Sequence, residues 1–542
     1  LRAVFRRGNP SGSRNDNTVF SEYLSIGEEK MMIKIERAIL TVSDKTGIVE
    51  LAQFLRTYNI EILSTGGTSK TLRAAGIDVQ DISDFTGFPE ILDGRVKTLH
   101  PKIYGGILAV RDNENHKQQM KENNLVPIDL IVCNLYPFEQ TLTKGASDEE
   151  IIENIDIGGP TMIRAASKNY KHVCVLPTVE LYEEFKQEIQ KHKGFISEDF
   201  SFRCAREVFR HTARYDFVIS SYFSRKIKKQ LLADDMDIRL LKVLDLRYGE
   251  NPHQKAAWYR FADRQPFPRK QLQGKELSFN NLLDMEATYM LVNNMPANSC
   301  AIIKHTNPCG AATGKNLIDA YTKALETDPL SAFGGIVGFN GKIEKDIAEK
   351  IAERFYEVVI APDYDEEALE VFRKKRNLRI IQSPGTMVLQ YDFRTLNDGF
   401  LVQTPDDVEF EKLEIITEKK PSEQELAALK FAWTICKYVK SNTIILGSEN
   451  RTIGIGAGQM SRYDSARVAV MKMRDNFKTQ ITPLVMASDA FFPFPDSIEV
   501  AKQAGVTAVI QPGGSLKDDE VIATCNKLGM SMILTGTRHF RH

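Results

Sequence analysis

From Arg37 the chain alternates short β-branched runs with helix-period stretches: "RAILTVS", "GIVELAQFLRTY", "IEILSTGG", "TSKTLRAAG" and "VQDIS". Strand, helix, strand, helix in succession leaves few folds, because strands joined through a helix run parallel and the helices cover the sheet's faces. The first part of the chain therefore reads as an α/β domain. "DLIVCNLYPF" and "HVCVLPT" add strands to it, and "FRCAREVFRHTARYDFVISSYFSRKIKKQ" reads as a long closing helix. At 542 residues the chain exceeds what one hydrophobic core sustains. The charged stretch "KKQLLADDMDIRLL" marks the expected division, giving domains at 33–237 and 238–542. The second domain repeats the strand–helix grammar through "CAIIKH", "AFGGIVGFN", "VVIAPDY", "TIILGSE", "TIGIGAG", "PLVMASD" and "VTAVIQP". It reads as mixed α/β in two lobes, although no sequence repeat of 20–50 residues is visible.

The formal net charge of −1 provides no general field for polyanions, so neither nucleic acid nor a membrane surface is an expected partner. Any anion site must be local. No apolar run approaches the ~18 residues of a membrane helix. Seven cysteines, at 133, 174, 204, 300, 309, 436 and 525, include no C-x-x-C pair. Scattered thiols of this kind suit a reducing compartment, and a cytoplasmic location is expected. Residues 1–32 have no signal-peptide apolar core and read as a leader outside the fold, with the native start at Met31 or Met32.

"TVSDKTG" (41–47) and "STGGTSK" (64–70) each follow a strand and open a helix. Hydroxyls and backbone N–H groups at two neighbouring helix N-termini can converge on a phosphate, and Gly66 and Gly67 let the backbone come close. "GRVKTLHPKIYGG" (94–106) gathers Arg95, Lys97, His100 and Lys102 between glycines, either as a solvated loop or as the opposite wall of that site. In "IDIGGPTMIRAASKN" (155–169), Pro160 starts a helix that carries Arg164 and Lys168 four apart, where like charges repel. An anionic ligand, or Asp156, would offset the repulsion.

In "CAIIKHTNPCGAATG" (300–314), Lys304 and His305 are adjacent, and adjacent side chains on a strand face opposite ways. Joint action needs the strand to end there, and "TNPCG" reads as the turn. A neighbouring ammonium disfavours a second positive charge, so the imidazole reads as a proton acceptor beside an oxyanion-stabilising lysine. A strand-end histidine capped by backbone is the plainer alternative. Zinc-dependent nucleobase deaminases need H-x-E followed by P-C-x-x-C. Here Pro308-Cys309 is followed by Gly310, Ala311 and Ala312, and no histidine has Glu two residues on, so no metal is expected. "TIGIGAGQMSR" (452–462) carries G-x-G-x-G rather than the dinucleotide fingerprint, and reads as close approach to a flat ligand with Arg462 reaching a charge. "SDAFFPFPD" (488–496) reads as core aromatics or as a wall for a heteroaromatic ring.

Taken in order, "SDKTG", "STGGT", "GRVKTLHP", "CNLYPF", "DIGG", "RAASKN", "LRYGENPHQ", "KHTNPCG", "IGAGQMSR" and "SDAFFPF" resemble the family of bifunctional purine biosynthesis proteins. That family joins an inosine monophosphate (IMP) cyclohydrolase to an aminoimidazole carboxamide ribonucleotide (AICAR) formyltransferase. The resemblance spans residue 36 to 542. It implies a methylglyoxal-synthase-like first domain and a transformylase domain of two cytidine-deaminase-like lobes without zinc. It places the cyclohydrolase nucleotide contacts at Ser43, Asp44, Lys45, Thr65, Gly66, Gly67, Thr68, Arg95, Val96, Thr98, Cys133, Asn134 and Ile157. Lys97, Tyr136, Asp156 and Lys168 fall around the ring-closing chemistry. For the transferase it places Arg247, Tyr248, Gly334, Glu357, Asn442, Arg462 and Arg538 at the nucleotide, and Lys304 and His305 at the reacting groups. Phe491, Asp496, Ser515 and Leu516 fall toward the folate. Glu357 stands where animal members carry Asp, and Leu516 is a second departure. The resemblance further implies 10-formyltetrahydrofolate as co-substrate, no catalytic metal, small-molecule partners and a homodimer. A metal-free phosphosugar lyase with a regulatory appendage, and a non-enzymatic nucleotide-binding scaffold, are the competing readings. The second domain's own Lys-His and Arg constellation disfavours both.

Overall fold

The computed structural model describes residues 32–227, 232, 236, 238–262, 266–385 and 391–542. Apart from Met32, the expected leader lies outside the described residues. The chain divides into two compact units, Leu1–Asp237 and Ile238–His542.

Among the described residues the first unit has seven strands: β1 (Met32–Lys34), β2 (Arg37–Leu40), β3 (Glu61–Ser64), β4 (Gln80–Asp81), β5 (Leu130–Val132), β6 (Cys174–Leu176) and β7 (Phe195–Ser197). Five of them form a parallel sheet in the order β4-β3-β2-β5-β6, while β1 and β7 pair as an antiparallel ribbon. Ala38 to Leu40, Leu130 to Val132 and Cys174 to Leu176 are completely buried. Burial on both faces is why these strands read as continuous apolar runs without alternation. The chain leaves β2 toward β3 and leaves β5 toward β6, so the connections diverge between β2 and β5. A parallel sheet opens a ligand crevice at such a point, at the carboxyl ends of its strands. The helix Glu198–Ile227 closes the unit against the helix Gly158–Lys168. There the Arg164 guanidinium lies over the Phe209 ring at 5.4 Å and donates to Thr212 Oγ1, which offsets its repulsion with Lys168.

The second unit contains an antiparallel ribbon of β8 (Leu240–Leu246) and β9 (Ala256–Phe261). It continues with β10 (Lys270–Gln273), β11 (Ser299–Lys304), β12 (Asn307–Thr313), β13 (Ile336–Phe339), β14 (Val358–Ala361) and β15 (Arg379–Gln382). A second ribbon pairs β16 (Asp392–Leu396) with β17 (Gly399–Gln403). The chain then runs through β18 (Glu414–Ile415), β19 (Ile444–Ser448), β20 (Arg451–Gly456), β21 (Val485–Ser488), β22 (Ala508–Gln511) and β23 (Ser531–Leu534).

Twelve of these strands form one sheet, ordered β10-β15-β14-β13-β11-β12-β20-β19-β21-β22-β23-β18. The order is the same arrangement twice. Each half has an outer antiparallel strand, then a helix, a hairpin, a further helix and three parallel strands joined by helices. On one face the helices Phe279–Asn293 and Glu423–Cys436 share a core that includes Leu291, Val292, Leu429 and Trp433. On the other face each half keeps its own core, around Tyr321, Phe339 and Phe372 in the first and around Met486, Phe492 and Met532 in the second. The halves meet where β12 pairs with β20. Side chains stitch that seam: Arg451 to Glu326 at 2.6 Å, Lys472 to Asp328 at 2.7 Å, and Thr327 Oγ1 donating to the Thr452 carbonyl at 2.7 Å.

The hairpin at Lys304 departs from the sequence expectation. The strand does end at Lys304, but Asn307-Pro308-Cys309-Gly310 already belongs to β12, and the turn is only His305-Thr306. Ile303 pairs with Pro308 and Ile302 with Gly310, so Cys309 is the extra residue of a bulge that accommodates the proline.

Candidate active sites

In the first unit a cavity of about 570 Å³ opens at the carboxyl ends of β2, β3 and β5. Its β2 and β5 walls are tied together by one side chain. Asn134 Oδ1 accepts from the backbone N–H of Ser43 (2.6 Å) and of Asp44 (2.9 Å), and its amide donates to the Asp44 carbonyl. Thr68 Oγ1 does the same for Val42, donating to its carbonyl and accepting from its N–H, both at 3.0 Å.

The helix Gly66–Ala74 points its N-terminus into this cavity with no side-chain cap and no acid in its first turn. Gly66 has φ +44°, in the left-handed region. A Cβ there would lie 3.8 Å from Lys97 Nζ, and one at Gly67 would lie 3.6 Å from Lys45 Nζ. Unsatisfied N–H groups, a helix dipole and two ammonium groups thus converge on one spot, an arrangement that favours an anion.

Opposite stands Asp156, mostly buried. Burial raises its carboxyl above the ordinary aspartate range, against the N–H groups of Gly159 (2.8 Å) and Tyr136 (3.4 Å) and the Lys97 charge. Lys97 itself pairs with Glu90 at 3.1 Å. Arg95 pairs with Glu153 at the rim, which raises the guanidinium and lowers the carboxyl. Burial, with the Asp156 charge behind it, pushes the Cys133 thiol far up and keeps it protonated.

Of the residues expected in the first site, Ser43, Lys45, Thr65, Gly66, Gly67, Thr68, Arg95, Lys97, Thr98, Cys133, Asn134, Tyr136, Asp156 and Ile157 line this one cavity. Asp44 contributes its backbone, while its carboxylate accepts from the N–H and hydroxyl of Thr46. Val96 bridges to Ile91 behind the loop. Lys168 ends the helix whose start lines the cavity; ten residues past Gly158 correspond to about 15 Å along the axis. Sequence reasoning missed Glu90 and Glu153. It also missed Tyr104, whose hydroxyl is buried without a partner among the described residues and is pushed up by burial and then by Cys133 and Asp156.

In the second unit the β11–β12 turn presents the Lys-His pair. Lys304 Nζ donates to the Phe333 carbonyl at 2.8 Å, beside Gly334, whose φ is +73°. Glu357 reaches the same segment through its N–H to the Gly335 carbonyl, and its carboxylate pairs with Arg379 at 2.7 Å. His305 is exposed, and its imidazole makes no hydrogen bond among the described residues.

Asn307 Oδ1 accepts from Lys440 N–H at 3.0 Å, joining this turn to the segment that carries Asn442. Asn442 Oδ1 accepts from Arg462 Nη2 at 2.8 Å. Arg462 is buried and engages Asp489, Ser488 and the Thr443 carbonyl as well, so its charge ties loops together where the sequence suggested a reach toward ligand. The chain's last residues join the same network, His539 N–H donating to the Asp489 carbonyl and Arg541 N–H to Ser441 Oγ. Arg538 stacks over Phe540 at 4.4 Å, and Arg247 over Tyr248 at 5.6 Å.

On the folate-side positions, Phe491 and Asp496 follow β21 while Ser515 and Leu516 follow β22, its parallel neighbour. Phe492 between them is fully buried, whereas Phe491 and Leu516 are exposed. Cys309, the residue that suggested half of a zinc motif, is buried with its thiol pushed up to about 12 by burial and then by Asp328. Among the described residues no group of three His, Cys, Asp or Glu side chains is placed to hold a metal ion.

Residues 47–161 match the MGS-like domain family and residues 166–472 the AICARFT/IMPCHase bienzyme family. The bifunctional purine biosynthesis protein PurH of Magnetococcus marinus is 47% identical over 94% of this chain and 100% of its own length. PurH of Bradyrhizobium diazoefficiens is 47% identical over 94% of this chain and 99% of its own. The crystal structure of ForH is 33% identical, covers 35% of this chain and 99% of its own, and superposes with a TM-score of 0.31.

An MGS-like parallel sheet with a cavity at its strand ends, followed by a second α/β unit, is the architecture of an α/β enzyme of this family. The chain belongs to the AICARFT/IMPCHase bienzyme family, the bifunctional purine biosynthesis proteins.

Proposed function

We propose that the cavity of the first unit closes the purine ring of formylated AICAR to give IMP, and that the Lys304-His305 turn of the second unit makes the formylated nucleotide. The observation that carries the first assignment is the convergence of Lys45, Lys97 and the uncapped helix at Gly66-Gly67, opposite the buried Asp156. Lys45 and the helix N-terminus hold the nucleotide phosphate. In ring closure the carboxamide nitrogen attacks the formyl carbon, and the resulting hydroxyl leaves as water. Asp156, its proton affinity raised by burial, accepts the attacking nitrogen's proton while Lys97 protonates the formyl oxygen; the hydroxyl then takes a second proton and leaves as water as the former formamide nitrogen gives up its own. Tyr136 and Lys168 complete the assignment as family positions.

In formyl transfer the AICAR amine attacks the formyl carbon of 10-formyltetrahydrofolate, the co-substrate in this reading. His305 takes the amine proton, Lys304 turns from the Phe333 carbonyl to the developing oxyanion, and tetrahydrofolate leaves on protonation of its nitrogen. Arg247, Tyr248, Gly334, Glu357, Asn442 and Arg538 frame the nucleotide side, and Arg462 holds Asn442 there. Phe491, Asp496, Ser515 and Leu516 frame the folate side. The twice-repeated hairpin and three parallel strands support two deaminase-like lobes.

A homodimer is supported by the two ribbons, which leave Leu240, Val243, Tyr259, Leu396, Phe400 and Leu401 exposed. A near-zero net charge supports small-molecule partners rather than nucleic acid or membrane, and seven free cysteines support a cytoplasmic location. The test is incubation with AICAR and 10-formyltetrahydrofolate, with IMP followed by chromatography. Absence of IMP from a folded protein, even when formylated AICAR is supplied, sinks the reading.

A further inference from the structure

The turn that carries His305 is an improbable one. His305 and Thr306 both have positive φ, +53° and +61°, the geometry of a two-residue hairpin loop that normally calls for Asn or Gly. Histidine enters the left-handed region with some tolerance, but a β-branched threonine there is a steric outlier. Such a conformation persists only where its surroundings over-determine it.

The surroundings are one carboxylate. Asp284, on the helix Phe279–Asn293, accepts the His305 N–H on Oδ2 at 3.0 Å and the Thr306 N–H on Oδ1 at 2.6 Å. The His305 carbonyl is held as well, by the Thr306 hydroxyl at 2.7 Å and the Asn307 amide at 3.1 Å. Backbone groups on both sides of the histidine are thereby fixed while its imidazole stays exposed. The equivalent turn in the other half of the sheet, Ser448 to Arg451, has positive φ only at Glu449, and among the described residues none of its N–H groups meets a carboxylate in this way.

We propose that Asp284 is the positioning residue of the formyl-transfer site, holding the His305-Thr306 turn in its left-handed form so that the imidazole meets the amine. The inference rests on the reading of His305 as the base. Asp284 itself touches neither substrate nor reacting atoms. Removing its carboxylate leaves two N–H groups unpaired and releases the strain at Thr306, and a base displaced by about 1 Å loses on the order of 10²-fold in rate.

The experiment measures formyl transfer in the full-length protein for Asp284→Ala, Thr306→Gly, the double variant and His305→Ala, with ring closure of supplied formylated nucleotide as an internal control. The expected result is a kcat for Asp284→Ala lower by ~10²-fold, little change in the nucleotide KM, and unchanged ring closure. Because glycine occupies the left-handed region without strain, adding Thr306→Gly is expected to restore most of that loss. A direct acid–base role, or a merely structural one, gains nothing from glycine at 306. The proposal is overturned by normal kcat in Asp284→Ala, or by a deficit that Thr306→Gly leaves in place in protein folded by circular dichroism. If Asp284→Ala does not fold, Asp284→Asn, which keeps one acceptor oxygen, carries the same comparison with and without Thr306→Gly. Normal transfer by His305→Ala instead defeats the underlying reading of the base, and is scored separately.

Discussion

The two sites of this chain are assembled in opposite ways. In the first unit the cavity is lined from five separate segments, and the proposed proton-transfer groups Lys97 and Asp156 lie far apart in sequence. In the second unit the proposed base and oxyanion stabiliser are consecutive residues, while the groups that hold them come from distant elements: Asp284 from a helix, the Phe333 carbonyl from a loop, Lys440 from the other half of the sheet. The first site is distributed and walled. The second is concentrated and exposed, so its precision resides in its supports.

The sharpest way to break this contrast is at the concentrated site. His305→Ala is expected to lower formyl transfer by ~10²–10⁴-fold, the range of general-base loss, while ring closure continues. Assays of the two half-reactions on one preparation decide it, and near-normal transfer defeats the assignment. At the distributed site Lys97→Ala is expected to cost less, about 10²–10³-fold in ring closure, because Lys45 and the helix N-terminus still hold the phosphate. Equal loss of both activities in folded protein would collapse the contrast into a single site.

Asp156→Asn sharpens the comparison through pH. Burial raises the carboxyl's affinity for its proton in the folded state, so the folded protein binds more protons than the unfolded chain just above the ordinary aspartate value of about 3.9. Stability attached to Asp156 is therefore present at low pH and lost as pH rises through that window. Denaturant unfolding across pH should show Asp156→Asn gaining on the wild type over this range and converging with it below, while ring closure falls. The reverse slope would contradict a carboxylate strained by burial. The smallest effect belongs to Glu449→Ala, at the counterpart turn in the other half of the second unit. An exposed side chain with no role in holding the turn should change stability by no more than about 0.5 kcal/mol and leave formyl transfer intact. A marked loss of transfer would mean that both hairpins carry chemistry.

The distributed site was partly legible in the sequence because three of its five segments end strands of a parallel sheet, where backbone N–H groups and small residues leave a signature. "SDKTG" and "STGGT" could be joined before any coordinates, since strand ends of one sheet gather at one rim, whereas Asn134 entered only through the family resemblance. What stayed hidden were partners with no local signature. Glu90 and Glu153 pair with Lys97 and Arg95 only through the fold, and Asp284 sits 21 residues from His305 on a helix that carries no motif. The "TNPCG" turn was displaced by two residues because a bulge lets Pro308 stand inside a strand. The duplication of the second unit left no sequence repeat, since topology constrains only which positions are buried. "CAIIK" and "TIILG" satisfy the same demand with different residues.

The seam between β12 and β20 also sets the order in which the second unit can be made. Each half closes its own ladder of strands and its own outer core with residues contiguous in the chain, whereas the shared core needs both. Docking across the seam is thus the non-local, late step, and its loop-closure cost falls due after the halves have collapsed. During synthesis the first half stands with Leu291, Val292, Ala301, Ile303 and Ala311 lacking the Leu429 and Trp433 that cover them in the finished unit. Until the second half arrives, those residues form apolar surface of the kind that leaves an unfinished chain open to aggregation.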